Sequence, residues 1–490
     1  MNTVSMETIQ ALMKRRGFVY PGSEIYGGLA NTYDYGPVGT ELLRNIKNLW
    51  WKTFVTKKDD MVGLDASVIS HQRIWEASGH VSGFADAMID CKKCKTRLRA
   101  DHLIEEYLEK NHETVTKISY PTVFEGNTFE SSDQLKNIIE NKKVEGLSVK
   151  QLNYLVSFLK ILCPNCKERD WTEVRTFNQL FPVKLGIVVG DESLAYLRGE
   201  TAQGMFVDFE NIVNSTRVRL PFGVAQLGKS FRNEITLGNS VFRTIEFEQG
   251  EIEYFFNPEK NQWEDLFEDW KNMMMNFVVK TLGVQEENLR WREHDDTERS
   301  FYSKRTVDLE YEFPFGFKEL WGLAYRTNYD LEQHRKTSGK DISIIDPETN
   351  EKIIPHVIEP AVGINRLFLM TLIDSYVEEA DRVVLKLHPR IAPYKAAVFP
   401  LLKNKPELVS KAKEVYALLQ EKIDGKIVWD DRGNIGKRYL SQDEVGTPWC
   451  ITIDFDSLDD NTVTVRNRNT AQQERLSINE LAQFIQTSLL

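Results

Sequence analysis

Residues 223–234 and 242–255 read as two strands, along which side chains alternate faces with a period of two. The intervening Thr236-Leu237-Gly238-Asn239-Ser240 is turn-like, so the pair should form a hairpin. On its first strand Gln226, Gly228, Ser230, Arg232 and Glu234 share a face; on its second, Arg243, Ile245, Phe247, Gln249, Glu251 and Glu253 share one. A third alternation, residues 306–313, turns Val307, Leu309, Tyr311 and Phe313 inward. Helical spacing of Leu42, Leu43, Ile46, Leu49, Trp50 and Phe54 predicts a helix over 38–56, followed by a strand over 62–69. A Trp-rich amphipathic helix is expected over 262–282, and a strand, turn and helix from 357 to about 375. Beyond residue 381 strands (396–400, 426–429, 449–454, 462–466) mix with helices (406–423, 478–489), the pattern of an α/β domain with a mixed sheet. The whole chain is expected to be α+β.

The chemistry of the hairpin face changes this picture. Two arginines, an aromatic ring and several carboxylates make a poor solvent face and a worse core. They suit a ligand with phosphates, a flat base and an ammonium group. Phe247 and Glu251 lie roughly 13 Å apart along a strand, about the reach from the adenine of an adenylate to the amino group of a small amino acid. An ordinary amphipathic hairpin with its charges in water satisfies the same spacing. Residues 223–230, GVAQLGKS, also fit the phosphate-loop pattern G-x-x-x-x-G-K-[ST]. That motif needs a helix after its glycine turn, and Phe231-Arg232-Asn233-Glu234 carries no helix start signal.

A length of 490 residues suggests two to four domains, and 41% hydrophobic with 28% charged residues describes an ordinary soluble protein. No apolar run is long enough for a bilayer, and the first residues have no secretory signal. A net charge of -11 argues against a nonspecific nucleic-acid binder, but allows one RNA partner held by local basic patches. Four of the five cysteines form two C-x-x-C pairs, Cys91 with Cys94 and Cys163 with Cys166. This is metal arithmetic, not a disulfide framework: a closed set of four thiolates implies a structural Zn2+. A reducing cytoplasm is expected.

These residues now carry a resemblance. Phe231-Arg232-Asn233-Glu234, a loop, and Phe242-Arg243-x-x-Glu246-Phe247-Glu248-Gln249 resemble motif 2 of class II aminoacyl-tRNA synthetases, and FEQ-x-E is similar to the homodimeric glycyl-tRNA synthetases. Residues 38–69 resemble motif 1, which implies a homodimer; Val357 to Arg366 resemble motif 3. Leu197-Arg198-Gly199-Glu200-Thr201-Ala202-Gln203-Gly204 resembles the family's RPETAQG with Gly199 in place of proline. Gly433 to Tyr439 and Thr462 to Arg468 resemble the anticodon-binding domain shared by glycyl, histidyl, prolyl and threonyl enzymes, where basic and aromatic side chains suit unstacked bases.

The resemblance implies a class II antiparallel-sheet core at 1–88 and 169–381, a zinc-type insertion at 89–168 and a C-terminal α/β anticodon-binding domain at 382–490. It implies glycine activation by ATP with Mg2+, transfer to glycine tRNA, and no membrane partner. Arg232 would bridge the α-phosphate and the glycine carboxylate, Phe247 would stack on adenine, and Arg366 would hold the γ-phosphate. Asn233, Glu234, Phe242, Arg243, Glu319, Leu320 and Gly363 would line the ATP site, with Glu234 and Glu319 on the nucleotide or its magnesium. Arg99, Glu200, Phe247, Gln249, Glu251, Glu359 and Gly363 would serve glycine, the three glutamates around its ammonium. Departures from the family stand at Tyr325, Asn328, Ala361 (usually serine) and Asn365 (often aspartate). A class II synthetase for another amino acid and a tRNA-binding paralogue that has lost catalysis remain as alternatives; the second should have shed Arg232 and Arg366, and both are present.

Overall fold

The computed structural model describes residues 4–489 except 84, 116–117, 122–123, 125–127, 143, 145, 187–192, 235–237, 296–298 and 300–301. Thr236 and Leu237 of the expected turn therefore lie outside the described residues. The architecture is mixed α+β. Its centre is a seven-stranded sheet built from β1 (Met61–Gly63), β2 (Phe222–Phe231), β3 (Glu246–Phe256), β4 (Leu289–Glu293), β5 (Arg305–Phe313), β6 (Gly316–Thr327) and β7 (His356–Gly363), in the spatial order β4-β5-β6-β7-β3-β2-β1. All neighbours are antiparallel except β1 and β2.

The expected hairpin is present, with Gln226 opposite Glu251, Gly228 opposite Gln249 and Ser230 opposite Phe247. Its ends differ from the pattern. The first strand stops at Phe231, and the second begins only at Glu246 after a 3-10 turn, Ser240–Phe242. Arg232, Glu234, Arg243 and Ile245 thus sit beyond the paired strands, although the Arg232 N–H still donates to the Ile245 carbonyl at 2.9 Å. Lys229 stays on β2 and meets Glu246 across the ladder, so the phosphate-loop geometry is not formed.

Alternation along β3 separates two environments. Ile252, Tyr254 and Phe256 enter the main core, where the helices Pro37–Trp51, Trp263–Asn276 and Ile364–Ser375 cover one face of the sheet. Phe54 is the hub of an aromatic cluster, with ring centroids 5.5 Å from Trp50, 5.2 Å from Phe277 and 5.5 Å from Trp321. The apolar stripe of Pro37–Trp51 is buried within this single chain. The expected strand over 62–69 is instead two short pieces in different sheets, β1 and Ile69–His71, the latter pairing with Ser193–Leu197.

On the opposite face Phe247, Gln249, Glu251 and Glu253 precede Phe255, which joins a second apolar cluster with Phe206, Phe209 and Phe222. That cluster plugs one end of the sheet face, and polar residues are left above it.

The cysteine pairs close a sub-structure with its own core of Ile89, Leu103, Ile104, Leu135, Ile139, Leu152 and Leu155. The C-terminal sheet runs Lys426–Trp429, Tyr394–Pro400, Trp449–Ile453, Thr462–Asn467, Gln473–Ser477, with parallel pairing among its first three strands and antiparallel pairing beyond. The sequence pattern had missed Gln473–Ser477 and the helix Ile435–Val445. No helix among the described residues is long and apolar enough to cross a membrane.

Candidate active site

A cleft opens on the polar face of β3, β5, β6 and β7, and its charge is segregated. Arg232, Arg243 and Arg366 line one end together with Glu234, Asp308 and Glu319; Glu200, Glu251 and Glu359 line the other, and Phe247 and Gln249 lie between.

Each side chain is placed by a local cause. Arg232 leaves the end of β2, donates from Nε to the Gly199 carbonyl at 2.9 Å, and lies 5.4 Å from the centroid of the Phe247 ring. Arg366 is the third residue of Ile364–Ser375, 4.6 Å from the Phe242 ring centroid and paired with Glu319 at 2.9 Å. A helix start at this point adds backbone N–H groups that favour an anion. Gly228 has a packing role: a Cβ there would come within 2.2 Å of the Arg198 guanidinium, which is buried and bonded to the Lys229 and Ala66 carbonyls at 2.7 Å each.

Glu319 reaches the cleft because of a bulge. The register of β5 on β6 shifts between Leu309 and Glu310, so Glu310 faces Glu319 while Leu309 faces Trp321. The extra residue, Leu320, is 0% exposed in the core. The bulge turns Glu319 onto the face that carries Gly322 and Asp308. The Arg366 charge beside it holds the Glu319 carboxyl below its ordinary value. Asp308, within 2.7 Å of His294 and 3.0 Å of Arg292, is nonetheless raised, by burial above all.

The acidic end is tightly held. Glu251 accepts from the Thr201 hydroxyl and, at 3.2 Å, from Gln249. Glu359 is bonded to Arg326 at 2.9 and 2.8 Å, and Arg326 also reaches Asp330 at 2.8 Å. Glu200 lies 3.2 Å from His80 and accepts from Gln203 at 2.9 Å. Burial, with Glu359 and Glu200 close by, pushes Glu251 well above the carboxylate range. Burial acts on Glu200 as well, but His80 and Arg326 outweigh it and hold that carboxyl well down. The Ala361 methyl faces Glu251 on one side and Gly322 on the other.

Comparison with known proteins decides the family. Residues 86–179 match the model of "Glycyl-tRNA synthetase insertion domain 1" and residues 395–488 match "Anticodon binding domain". Over its whole length the chain is 48% identical to the glycine--tRNA ligase of Clostridium tetani (98% of each chain) and 47% identical to that of Alkaliphilus oremlandii (99% of this chain, 98% of the relative). The same enzyme of Acetivibrio thermocellus is 48% identical over 98% of each. The chain belongs to the glycine--tRNA ligase family.

Within this family member, the residues singled out in the sequence fall into three groups. The structure gathers Arg232, Glu234, Phe242, Arg243, Phe247, Glu319, Gly363 and Arg366, and likewise Glu200, Gln249, Glu251 and Glu359, around one cleft. Two others are displaced from it. Leu320 is packed into the core by the bulge. Asn233 directs its N–H to the Gln179 carbonyl at 2.8 Å. Arg99 stands further off, bridging Asp86 at 3.0 Å and Asp101. Asp86 accepts in turn from Gln179 at 2.7 Å, so the insertion and the segment after β2 share one polar chain. Among the departures, Tyr325 is on the far face of the sheet, stacked 4.6 Å from Trp263. Asn365 accepts from the Glu248 N–H at 2.7 Å and donates to Tyr35 at 2.6 Å.

Sequence reasoning missed Arg326, Gln203, His80, Thr201, Asp308 and His294. Arg326 could have been found: a cluster of carboxylates needs a buried cation, and Arg326, at the end of β6, stands four residues before Asp330.

The four cysteines converge. Their sulfurs lie within 4.8 Å of one another, with Cys91 and Cys166 at 3.5 Å and Cys94 and Cys163 at 3.6 Å. A tetrahedral zinc with bonds near 2.3 Å sets sulfurs about 3.8 Å apart, and a disulfide is far shorter. The two knuckles repeat one turn: the Lys95 and Lys167 N–H groups donate to the Cys91 and Cys163 carbonyls at 2.9 Å, each lysine at φ 61°. The donor set fits zinc.

In the C-terminal domain the arginines of the segments resembling an RNA-binding unit are committed internally. Arg466 pairs with Asp443 at 2.8 Å, Arg438 bonds the Pro400 carbonyl at 2.6 Å, and Arg468 bonds the Leu387 carbonyl at 2.6 Å. They brace the fold.

Proposed function

We propose a residue-level account of how this chain charges glycine tRNA with glycine. The observation that carries it is the distribution of charge in the cleft: three arginines, accompanied by three carboxylates, where a triphosphate and its magnesium would lie, carboxylates with no arginine on the cleft wall where an amino group would end, and an aromatic ring between. Glycine's carboxylate attacks the α-phosphate of ATP and pyrophosphate leaves; the terminal ribose hydroxyl of the tRNA then attacks the glycyl carbonyl and AMP leaves. No protein nucleophile is required. The work is positioning and neutralisation of charge on the phosphates.

Arg232 holds the α-phosphate and the glycine carboxylate, and Arg366 the γ-phosphate. Adenine lies on Phe247, flanked by Arg232. Magnesium would be held by Glu319, with Asp308 and Glu234 beside it, and would offset phosphate charge. Glu251 and Glu359 receive the glycine ammonium, and Glu200 adds negative potential from behind its bonds to His80 and Gln203. The Ala361 methyl closes space that a side chain on the amino acid would need.

The same account takes residues 1–88 and 169–381 as a class II core, 89–168 as the insertion, and 382–490 as the anticodon-binding domain. Zinc at Cys91, Cys94, Cys163 and Cys166 would tie the ends of the insertion; metal analysis giving no zinc in the purified chain removes this role. The working form is a homodimer in the cytoplasm. Support for a dimer comes from exposed apolar side chains, Ile69 on its strand and Ile25, Tyr26 and Leu29 on a loop, since the motif 1 helix is already covered. Sedimentation as a monomer at micromolar concentration would contradict it.

Pyrophosphate exchange measured across all amino acids tests the function. Glycine alone should support exchange. Equal exchange with another amino acid, or ATP hydrolysis without any, would favour the alternatives.

A further inference from the structure

Behind the acidic end of the cleft lies a fourth carboxyl, that of Glu253. Glu253 is two residues beyond Glu251 on β3, so its side chain shares that face. It is 0% exposed. Among the described residues neither of its oxygens has a hydrogen-bond partner. The register that sets Glu251 opposite Ala361 and Tyr254 opposite Ile358 brings Glu253 alongside Glu359. One oxygen each from Glu251, Glu253 and Glu359 lie within 4.8 Å of one another. Glu253 does not line the cleft, so it sits just beneath the groups that meet the ammonium.

The charges around it come from several elements. Glu251 is on its own strand and Glu359 on β7. Arg326 comes from β6, Asp330 from the helix Tyr329–Ser338, and Glu200 from the segment before Ala202–Val207. Val224 lies opposite on β2, and Phe206 and Phe255 form the apolar plug below. The guanidinium of Arg326 is already engaged by Glu359 and Asp330. A carboxylate in such a place, with no donor at either oxygen, would be strongly disfavoured. A protonated carboxyl is not; it offers one O–H to the oxygens it faces.

We propose that Glu253 is a positioning residue of the glycine site, held as the neutral acid, whose O–H reaches Glu251 and Glu359 by a turn of the side chain or through one bridging water. A span of 4.8 Å or less suits such a bridge. The bond occupies an inward lone pair of the receiving carboxylate and leaves the outward oxygen for the ammonium. It also removes one negative charge from a pocket that must balance a single cation. Burial, together with the nearby Glu359, raises the Glu253 carboxyl well above its ordinary value, in agreement with this state.

The inference rests on glycine being the substrate of this cleft. The two are separable: loss of glycine-dependent exchange in the wild-type chain would sink the function, whereas the variants below bear on Glu253 alone. Glu253→Gln keeps shape, neutrality and a donor. Glu253→Leu keeps bulk and loses the donor. In glycine-dependent pyrophosphate exchange the Gln variant should hold its KM for glycine within about threefold of wild type. The Leu variant should raise it by about tenfold or more, the effect of losing a hydrogen bond to a charged group, with the KM for ATP changed much less. As the pH rises, both proteins should lose glycine affinity where the substrate ammonium deprotonates; wild type should show a further loss as Glu253 ionises, and the Gln variant should lack that further loss. A Gln variant that raises the glycine KM tenfold would overturn the proposal, because a charged carboxylate would then be needed. So would a folded Leu variant with unchanged glycine KM. If the Leu variant does not fold, the Gln variant and its pH profile decide.

Discussion

Arg232→Ala is expected to abolish glycine-dependent pyrophosphate exchange, with kcat down by about a thousandfold or more. Arg232 belongs to the arginine-bearing end, and its bond to the carbonyl of Gly199, the residue before Glu200, ties it to the acidic end. Its Nε donates to the Gly199 carbonyl at 2.9 Å, and its guanidinium lies 5.4 Å from the Phe247 ring centroid. The nucleophile in this reaction is an anion approaching an anionic phosphate. Removing the one group that would meet both raises the barrier without emptying the site, because Arg366 remains for the γ-phosphate. The loss should therefore appear mainly in kcat. Arg232→Lys should recover little, since a point charge cannot bridge two acceptors as a guanidinium fork does. Near-normal exchange by Arg232→Ala, measured with labelled pyrophosphate, would remove this residue from the role.

The second large effect is expected at Arg326. Its side chain is 1% exposed and is bonded to Glu359 and Asp330 at 2.8 Å each. Arg326→Leu would leave two buried carboxylates without their cation. Breaking such a pair typically costs about 3–5 kcal/mol, and glycine activation should disappear as well because Glu359 loses its orientation. The pH dependence has a definite sign. Burial raises the Glu359 carboxyl above its ordinary value even though Arg326 opposes the shift, so without Arg326 it would protonate still more readily in the folded chain than in the unfolded one. The folded state then binds more protons, so stability falls as pH rises. The deficit of the variant should be smallest in acid and grow through neutrality. Denaturant titrations at several pH values check this; a variant as stable as wild type at neutral pH would contradict the network.

How much of this could be read from the residues alone depended on what each residue's neighbours were. The face of β3 was legible because period-two alternation needs no partner. The same is true of the helix Pro37–Trp51, whose apolar spacing runs on through Phe54. The ends of the hairpin were not legible. At Phe231 the chain leaves its partner strand, and the next N–H groups find Ile245 and Gln179, a choice made by tertiary contacts.

Leu320 shows a different limit. In residues 316–327 the alternation breaks at Lys318-Glu319-Leu320-Trp321, two polar residues followed by two apolar ones, and the register with β5 shows this break to be the bulge that buries Leu320 and turns Glu319 into the cleft. Arg326 stood in a segment noted for its departures and was passed over, because a buried ion pair leaves no periodic signal. The arginines of the C-terminal domain, within the residues that match an anticodon-binding domain, have structural partners that the sequence pattern does not show. Basic residues in an RNA-binding pattern read as RNA contacts, yet the chain spends Arg438, Arg466 and Arg468 on its own carbonyls and on Asp443.

The most direct test of the segregated cleft is a crystal structure of the protein with a nonhydrolysable glycyl-adenylate analogue. The account predicts adenine against Phe247, the phosphate substitute on Arg232, and the amino group within hydrogen-bond distance of Glu251 and Glu359. An analogue bound in the opposite sense, with its amino group at Arg366 or outside the cleft, would contradict it.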